Sequence, residues 1–197
     1  MPAAYIGSSS AIPAGPSIRR LPMPLPLAQA PDLSLPHLQG GTWTLAGQSD
    51  DTFTIVVFYR GHHCPICKTY MKEIDALIDQ AAAQGIGVVA VSMDGHDRAT
   101  ATHEEIATTR LPIAYGMTQE TAREWGLYIS SNRPGTQEPE VFAEPGLFVI
   151  RPDGTVFFAQ TQSAPFTRPD FGKLLGGLKF VVENDYPARG DLTATAA

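Results

Sequence analysis

The sequence predicts an α/β domain in which a central mixed β-sheet is flanked by helices. An unbroken run of β-branched and aromatic residues over 53–59 is typical of a strand buried on both faces. A helical pattern from Pro65 and a second apolar run over 86–93 complete a strand–helix–strand unit, whose two strands are parallel. A Pro-Asp-Gly turn at 152–154 joins two more apolar runs and adds an antiparallel hairpin.

Size and charge limit the classes of function. The 197 residues suffice for one domain with a full-sized core, and 43% hydrophobic with 17% charged residues is typical of a globular protein. A net charge of −6, with no Lys/Arg cluster to offset it, argues against a nucleic-acid partner. No apolar run approaches the roughly 20 residues that cross a bilayer, so we expect no membrane partner.

The chain divides into three parts. Residues 1–27 hold six prolines among Gly, Ser and Ala, and predict a flexible or polyproline-like arm. The domain follows over 28–185, and residues 186–197 form a loose tail. Arg19-Arg20 and the apolar residues after them faintly resemble a twin-arginine export signal, but prolines interrupt that stretch. We therefore expect a cytoplasmic protein, since a reducing compartment suits a catalytic cysteine pair.

The other elements follow from local patterns. Gly40-Gly41 predicts a hairpin between two short strands. The helix from Pro65 runs to about Ala83 and stops at Gly85. The irregular stretch 128–144, long for a compact domain, indicates a functional or mobile loop. Three further helices are predicted: 98–110 with Asp97 as N-cap, 118–126 with Thr118 as N-cap, and 168–184 with Thr167 as cap.

The only two cysteines fall at the junction between the first long strand and its helix. Cys64 comes just before the helix and Cys67 lies one turn into it, where unpaired amides and the helix dipole stabilise a thiolate. Nearby basic side chains add to that field and lower the pKa of Cys64. They are Arg60, His62, His63 and Lys68. The spacing places both sulfurs within reach of each other and indicates a redox pair.

Other interpretations of these residues remain open. Cys64 and Cys67 could bind zinc together with His62 or His63. A purely structural disulfide would close too short a loop to stabilise much, and inert thiols are unusual at a strand end. An imidazolium on either histidine would favour the thiolate; equally, one ring could pack while the other is solvated.

Taken together, the element order and four motifs resemble the thioredoxin fold, and in particular the peroxiredoxin-like branch of the alkyl hydroperoxide reductase/thiol-specific antioxidant (AhpC/TSA) family. The resemblance covers roughly residues 28–184. The motifs are Ala-Pro-Asp-Leu-Ser-Leu-Pro at 30–36, Phe-Tyr-Arg-Gly-His-His-Cys-Pro-Ile-Cys at 58–67, Val-Ala-Val-Ser-Met-Asp at 89–94 and Pro-Gly-Leu-Phe-Val-Ile-Arg-Pro-Asp-Gly at 145–154.

The resemblance implies roles for particular residues. Cys64 matches the nucleophilic cysteine that a peroxide oxidises to a sulfenic acid, and Cys67 matches the cysteine that then forms the disulfide. Arg60 would hold the thiolate and polarise the peroxide. Pro145 falls where thioredoxin folds place a cis-proline facing the active cysteine. Supporting positions are His62, His63, Pro65 and, as a second active-site arginine, Arg133.

One motif departs from the family pattern Pro-x-x-x-Thr-x-x-Cys. With Cys64 as its cysteine, Gly61 stands at the threonine position and Val57 at the proline position, so the usual hydroxyl contact to peroxide is missing. The CxxC spacing is closer to that of thioredoxin-like disulfide exchange. Two alternatives to a peroxidase therefore stay open: a thiol-disulfide oxidoreductase acting on protein disulfides, and a redox-sensing module whose cysteines switch the 128–144 loop without turnover.

The first hypothesis remains a thiol-dependent peroxidase that reduces hydroperoxides. The resemblance implies no metal and no bound organic cofactor. It also implies an external reductant, either a thioredoxin- or glutaredoxin-type protein or a low-molecular-weight thiol. Related proteins are often dimers, and the arm over residues 1–27 is long enough to wrap a neighbouring subunit, so a homodimer is one assembly to test.

Overall fold

A computed structural model describes residues 23–107 and 110–190 of the chain. Most of the predicted arm, with Arg19-Arg20, and the end of the predicted tail lie outside the described residues. The last residues of the arm lie on the domain: the backbone N–H of Leu27 donates to the carbonyl of Val156 over 2.8 Å. The division of the chain into arm, domain and tail stays a prediction.

Nine strands occur in the described residues and form three sheets. In chain order they are β1 (Ser34–Pro36), β2 (Thr42–Thr44), β3 (Phe53–Phe58), β4 (Ile86–Val91), β5 (Ile113–Ala114), β6 (Ile129–Ser131), β7 (Val141–Ala143), β8 (Gly146–Ile150) and β9 (Val156–Thr161). The central sheet has the order β5-β4-β3-β8-β9. Strands β3, β4 and β5 are parallel, whereas β8 is antiparallel to both β3 and β9. The predicted α/β class with a mixed sheet is confirmed.

Residues 23–107 and 110–190 also contain five α-helices: α1 (Pro65–Ala76), α2 (Ile78–Ala82), α3 (His96–Ile106), α4 (Gln119–Glu124) and α5 (Phe171–Glu183). The predicted single helix from Pro65 to about Ala83 is wrong, because Leu77 leaves the helical conformation and separates α1 from α2. Within the described part of the chain, no helix is both long enough and apolar enough to cross a membrane.

The N-cap residues of α3, α4 and α5 agree with the predicted caps at α4 only. Thr118 caps α4 as expected, since its hydroxyl accepts the backbone N–H of Thr121. Asp97 lies inside the first turn of α3, and Gly95 is the N-cap. The last helix starts later than predicted because the carboxylate of Asp170, not Thr167, accepts a backbone N–H of its first turn.

The 128–144 stretch is not the irregular loop that the sequence predicts. Strands β6 and β7 pair antiparallel within it, with Ser130 opposite Phe142. Each strand is only three residues long, which is too short to show an alternating pattern in the sequence. This β6–β7 hairpin packs beside the strand ends of the central sheet and contributes residues to the site.

The central sheet separates two hydrophobic cores. On one face, alternate residues of β3 such as Ile55 and Val57 pack against Met71 of α1 and Leu175 of α5. On the other face, Val56 and Phe58 belong to a cluster with residues of the β1–β2 hairpin and Trp125, which follows α4. Because β3 is central and buried along its whole length, its end is a rigid platform for the residues that follow.

Candidate active site

The loop after β3 is fixed by one buried carboxylate. Gly61 has φ +125°, a conformation that L side chains rarely adopt. The Asp94 side chain, which follows β4, accepts the backbone N–H of His62 over 2.7 Å and the Nε–H of Arg98 over 2.9 Å. The ends of two neighbouring parallel strands thus combine to set the path of the chain into α1.

Both cysteines are placed by the start of α1. Cys64 is the N-cap and Pro65 the first helical residue, whose fixed φ suits that position. The Cys64 Sγ accepts the backbone N–H of Cys67 over 3.3 Å. Both thiols are free, and their residues are 2% and 0% exposed, respectively. Cys64 thus lies just before the helix and Cys67 within its first turn, as the sequence predicts.

The two thiols differ sharply in acidity. Hydrogen bonding from the Cys67 side chain lowers the pKa of Cys64 to about 6, against the cost of burial and with further help from the Cys67 N–H and the charges of Arg168 and Arg60. Burial raises the pKa of Cys67 well above its ordinary value, and donation to Cys64 raises it further. Near neutral pH the pair therefore holds a thiolate at Cys64 and a protonated thiol at Cys67.

Arg168 is a site residue that the sequence did not indicate. It lies between β9 and α5, and its Nη2 donates to Cys67 Sγ over 2.9 Å. The guanidinium carbon lies 5.3 Å from the ring centre of Tyr70 on α1. From the sequence, this arginine was only the predicted first residue of the last helix; nothing in its local pattern marks a contact with the cysteines.

Arg60, predicted to hold the thiolate, has other partners. Its Nη2 donates to Glu138 Oε1 over 3.3 Å, and its Nε lies 3.3 Å from Glu144 Oε2. Its guanidinium carbon is 4.7 Å from the ring centre of Phe142. The side chain makes no hydrogen bond to either sulfur among the described residues, and its charge is the smallest of the contributions that lower the pKa of Cys64. Arg60 mainly joins the end of β3 to the β6–β7 hairpin.

Arg133, predicted as a second active-site arginine, lies further from the cysteines than Arg60. The Glu138 carboxylate lies between the two arginines and accepts from both. Arg133 donates to Glu138 through both its backbone N–H and its guanidinium, at 2.8 to 3.3 Å. These bonds lower the pKa of Glu138 to about 2. The Arg133 side chain is 75% exposed, so it contacts the β6–β7 hairpin from the solvent side. The contacts with the sulfurs come from other groups.

The two histidines have different surroundings. His62 Nδ1 is 3.3 Å from the Thr102 hydroxyl and 3.8 Å from Glu105 Oε2. His63 packs edge-on against Phe142, with ring centres 4.8 Å apart, and neither ring nitrogen has a hydrogen-bond partner in the part of the chain that the structure describes. Burial and the nearby Arg60 charge lower the pKa of His63 to about 4, so its ring is neutral at pH 7. His63 therefore supplies no positive charge to the thiolate.

The Glu144–Pro145 bond, whose isomer the sequence leaves open, is trans, since no peptide bond among the described residues is cis. It still lies in the site region: Pro145, Tyr70 and Arg168 line a common small crevice. The carbonyl of Pro145 accepts the backbone N–H of Gln162 over 2.9 Å. Neighbouring Glu144 is buried, and Ser130 Oγ donates to its Oε1 over 2.7 Å.

The zinc interpretation finds no support in the geometry. Across residues 23–107 and 110–190, no three His, Cys, Asp or Glu side chains are grouped so that they could hold a metal ion. His63, the histidine next to Cys64, directs its ring to Phe142.

The sheet order and the cysteine pair at the start of α1 define a redox protein with a thioredoxin-like fold. The AhpC/TSA family model matches residues 26–159, so the chain belongs to this family and the predicted resemblance is confirmed. Comparison with curated protein sequences finds no match.

Solved structures with a similar fold include several peroxiredoxins. A peroxiredoxin-like protein from Aquifex aeolicus has a TM-score of 0.67 and 17% identity, over 82% of this chain and 90% of that one. Peroxidoxin BcpB from Mycobacterium tuberculosis has a TM-score of 0.64 and 19% identity, over 81% and 98%. A protein assigned as the thiol:disulfide interchange protein DsbE, from Chlorobium tepidum, has a TM-score of 0.60 and 19% identity, over 81% and 98%. At these identities the likeness concerns the fold.

Proposed function

We propose that the protein is a thiol peroxidase that reduces hydroperoxides through Cys64 and Cys67. Membership of the AhpC/TSA family supports this activity. The observation that carries the assignment of residues is the capped thiolate: Cys64 accepts the Cys67 N–H at the start of α1 and has a pKa of about 6. Most Cys64 side chains are therefore ionised at neutral pH, and the thiolate is the nucleophilic form.

The reaction has three steps. The Cys64 thiolate attacks one oxygen of the peroxide; an S–O bond forms, the O–O bond breaks, and the leaving alkoxide or hydroxide takes up a proton. Cys67 then attacks the resulting sulfenic sulfur, forming the disulfide and releasing water. An external dithiol, or two thiols, reduces the disulfide. The second step needs no unwinding of α1, because Cys67 lies one turn from Cys64 and its backbone N–H already donates to the Cys64 sulfur.

The oxidant and reductant follow from this chemistry as classes. Hydrogen peroxide or an organic hydroperoxide is the proposed substrate. A thioredoxin- or glutaredoxin-type protein, or a low-molecular-weight thiol, is the proposed reductant, and no bound cofactor takes part. We expect the protein to work in the cytoplasm, where such reductants keep CxxC pairs reduced. A homodimer is the proposed assembly, to be tested by light scattering.

The test is a stopped-flow reaction of the fully reduced protein with hydrogen peroxide. Tryptophan fluorescence is one signal, since Trp125 packs 5.1 Å from Phe58 at the end of β3, and a free-thiol assay is the other. We expect fast second-order loss of both thiols in the wild type. Cys64→Ser should abolish the reaction, whereas Cys67→Ser should stop at the sulfenic acid. Oxidation no faster than that of a free low-molecular-weight thiol would contradict the proposal.

A second function is favoured by the same asymmetry of the thiols. An acidic Cys64 beside a buried, weakly acidic Cys67 is also the arrangement that reduces protein disulfides: Cys64 attacks and Cys67 resolves the mixed disulfide. An insulin-reduction assay with a thiol donor distinguishes the two. Rapid insulin reduction with slow peroxide turnover would favour the oxidoreductase, and oxidation without any turnover would favour the sensing module.

A further inference from the structure

Arg168 contacts the resolving sulfur directly. Its Nη2 lies 2.9 Å from Cys67 Sγ, and the contact joins residues 101 positions apart in the chain. The guanidinium lies over the ring of Tyr70, one turn along α1 from Cys67. The aromatic face thereby fixes the guanidinium on the same helix that carries the two sulfurs.

The charge of Arg168 is not neutralised by any carboxylate in the described part of the chain. Among residues 23–107 and 110–190, no carboxylate forms an ion pair within 4.0 Å of this side chain, and none of their groups hydrogen-bonds to its buried Nε. Arg60 provides the contrast, because Glu138 and Glu144 both lie 3.3 Å from its guanidinium nitrogens. Of these two arginines at the site, only Arg168 combines a free charge with direct contact to a sulfur.

A buried resolving thiol needs such a cation. Cys67 is fully buried, and desolvation disfavours the thiolate that must attack Cys64. A fixed guanidinium at 2.9 Å offsets that cost, since it attracts the anion and donates a hydrogen bond to it.

We propose that Arg168 is a catalytic residue of the resolution step, where it stabilises Cys67 as the thiolate that attacks oxidised Cys64. This inference rests on the proposed function of the cysteine pair. In the step, the Cys67–Cys64 S–S bond forms and the S–O bond of the sulfenic acid breaks. Cys67 sulfur is oxidised and Cys64 sulfur is reduced to the disulfide level. The leaving hydroxide takes up the proton that Cys67 gave to solvent, and water is released.

The first test separates the two oxidation steps. Reduced wild type and Arg168→Gln are mixed with one equivalent of hydrogen peroxide at pH 8, where Cys64 stays ionised. Peroxide loss and disulfide formation are followed by quenched-flow mass spectrometry, with dimedone to trap the sulfenic acid. We expect peroxide loss to change less than about threefold and disulfide formation to slow about tenfold or more, since an adjacent opposite charge is worth one to three pKa units. The dimedone adduct should accumulate on Cys64.

A second test does not depend on peroxide. Ellman's reagent reacts with Cys64 to give a mixed disulfide and one thionitrobenzoate anion; Cys67 then attacks Cys64 and releases a second anion. The release of the second anion should be about tenfold slower in Arg168→Gln, and its pH midpoint should move upward. If the wild type resolves this mixed disulfide about tenfold faster than Arg168→Gln but does not consume peroxide rapidly, the peroxidase proposal fails while the assignment of Arg168 stands.

Two further variants give the controls. Arg151 also lies over an aromatic ring, with its guanidinium carbon 5.1 Å from the centre of Phe157, but it contacts neither cysteine, so Arg151→Gln should behave as wild type. Arg168→Lys keeps the charge without the planar fork and should fall between wild type and Arg168→Gln. The proposal is overturned if folded Arg168→Gln resolves Cys64 within twofold of wild type. It is also overturned if the Lys and Gln variants are equally slow, because the loss would then come from packing.

Discussion

The Asp94 carboxylate lies so close to Gly61 that no methyl group fits between them: a Cβ added to Gly61 would lie 2.7 Å from Asp94 Oδ2. The same carboxylate accepts the N–H of His62, so the loop that leads to Cys64 is fixed by backbone contact with the end of a neighbouring strand. Two residues 33 positions apart thus determine where the active helix begins.

Replacing Gly61 should destabilise the protein. Gly61→Ala places a side chain at φ +125° and against Asp94, so we expect a loss of unfolding free energy of at least about 1–2 kcal/mol from the backbone alone. Urea denaturation of the reduced protein measures it. Gly116→Ala is the matched control for the contact with Asp94, because Gly116 also has a positive φ, +75°, but its added Cβ meets no atom within 4 Å. Equal stability of the two variants would show that the contact with Asp94 does not destabilise Gly61→Ala.

The acidity of Cys64 should depend on the side chain at position 67. Cys67 is the largest cause of the lowered pKa, through a hydrogen bond from its thiol. The rate of Cys64 alkylation by iodoacetamide should therefore rise with pH around a midpoint near 6 in the wild type. Cys67→Ser keeps a donor and should move the midpoint upward modestly; Cys67→Ala removes the donor and should move it further.

At pH 6 we expect the alanine variant to be alkylated about fivefold more slowly than wild type, which corresponds to an upward shift of one pKa unit from a midpoint near 6. Identical midpoints in the serine and alanine variants would mean that the backbone N–H and the surrounding charges, not the Cys67 side chain, set the acidity.

Removing Arg60 should affect stability more than chemistry. Its guanidinium pairs with the buried Glu144, which would be left as an uncompensated charge in Arg60→Met. Breaking one side of a buried pair costs about 3 kcal/mol or more. The double variant Arg60→Met/Glu144→Gln should recover part of that loss in thermal unfolding. A stable Arg60→Met variant whose peroxide reaction is slowed a hundredfold would instead return Arg60 to a direct role at the sulfur.

His63 should titrate well below the ordinary range. Because burial lowers its pKa to about 4 in the folded protein, the unfolded chain binds the proton more readily between about pH 4 and the ordinary value of 6.5. This residue should therefore make the protein less stable as the pH falls through that window. The imidazole resonances in NMR give the midpoint directly. His63→Phe should flatten the loss of stability in acid and leave the pH dependence of peroxide consumption between pH 6 and 8 unchanged.

The parts of the site that the sequence predicts are those fixed by local geometry. Cys64 as a cap, Pro65 at the first helical position and Cys67 one turn later lie within four consecutive residues, so strand, turn and helix patterns suffice to place them. The buried run of β3 likewise predicts a central strand, because only a strand covered on both faces is apolar at every position.

The remaining site residues depend on distant contacts. Arg168 reaches Cys67 across 101 residues, and Glu138 reaches Arg60 across 78. Their neighbours in the sequence give no periodic signal, since both lie in polar segments between elements. The sequence therefore predicts the sulfur contact for Arg60, the arginine next to the cysteines. It does not show that the Arg60 guanidinium is paired with two buried carboxylates.

The position of both cysteines on one helical turn also affects how well the protein withstands excess peroxide. A sulfenic acid can meet a second peroxide molecule and pass irreversibly to sulfinic acid. Here the competing thiol of Cys67 lies one helical turn from Cys64, whose sulfur accepts the Cys67 N–H, so it acts at an effective molarity that dissolved oxidants do not approach. Under the proposed function, the intact protein should resist inactivation by excess peroxide, and that resistance should disappear in Cys67→Ser.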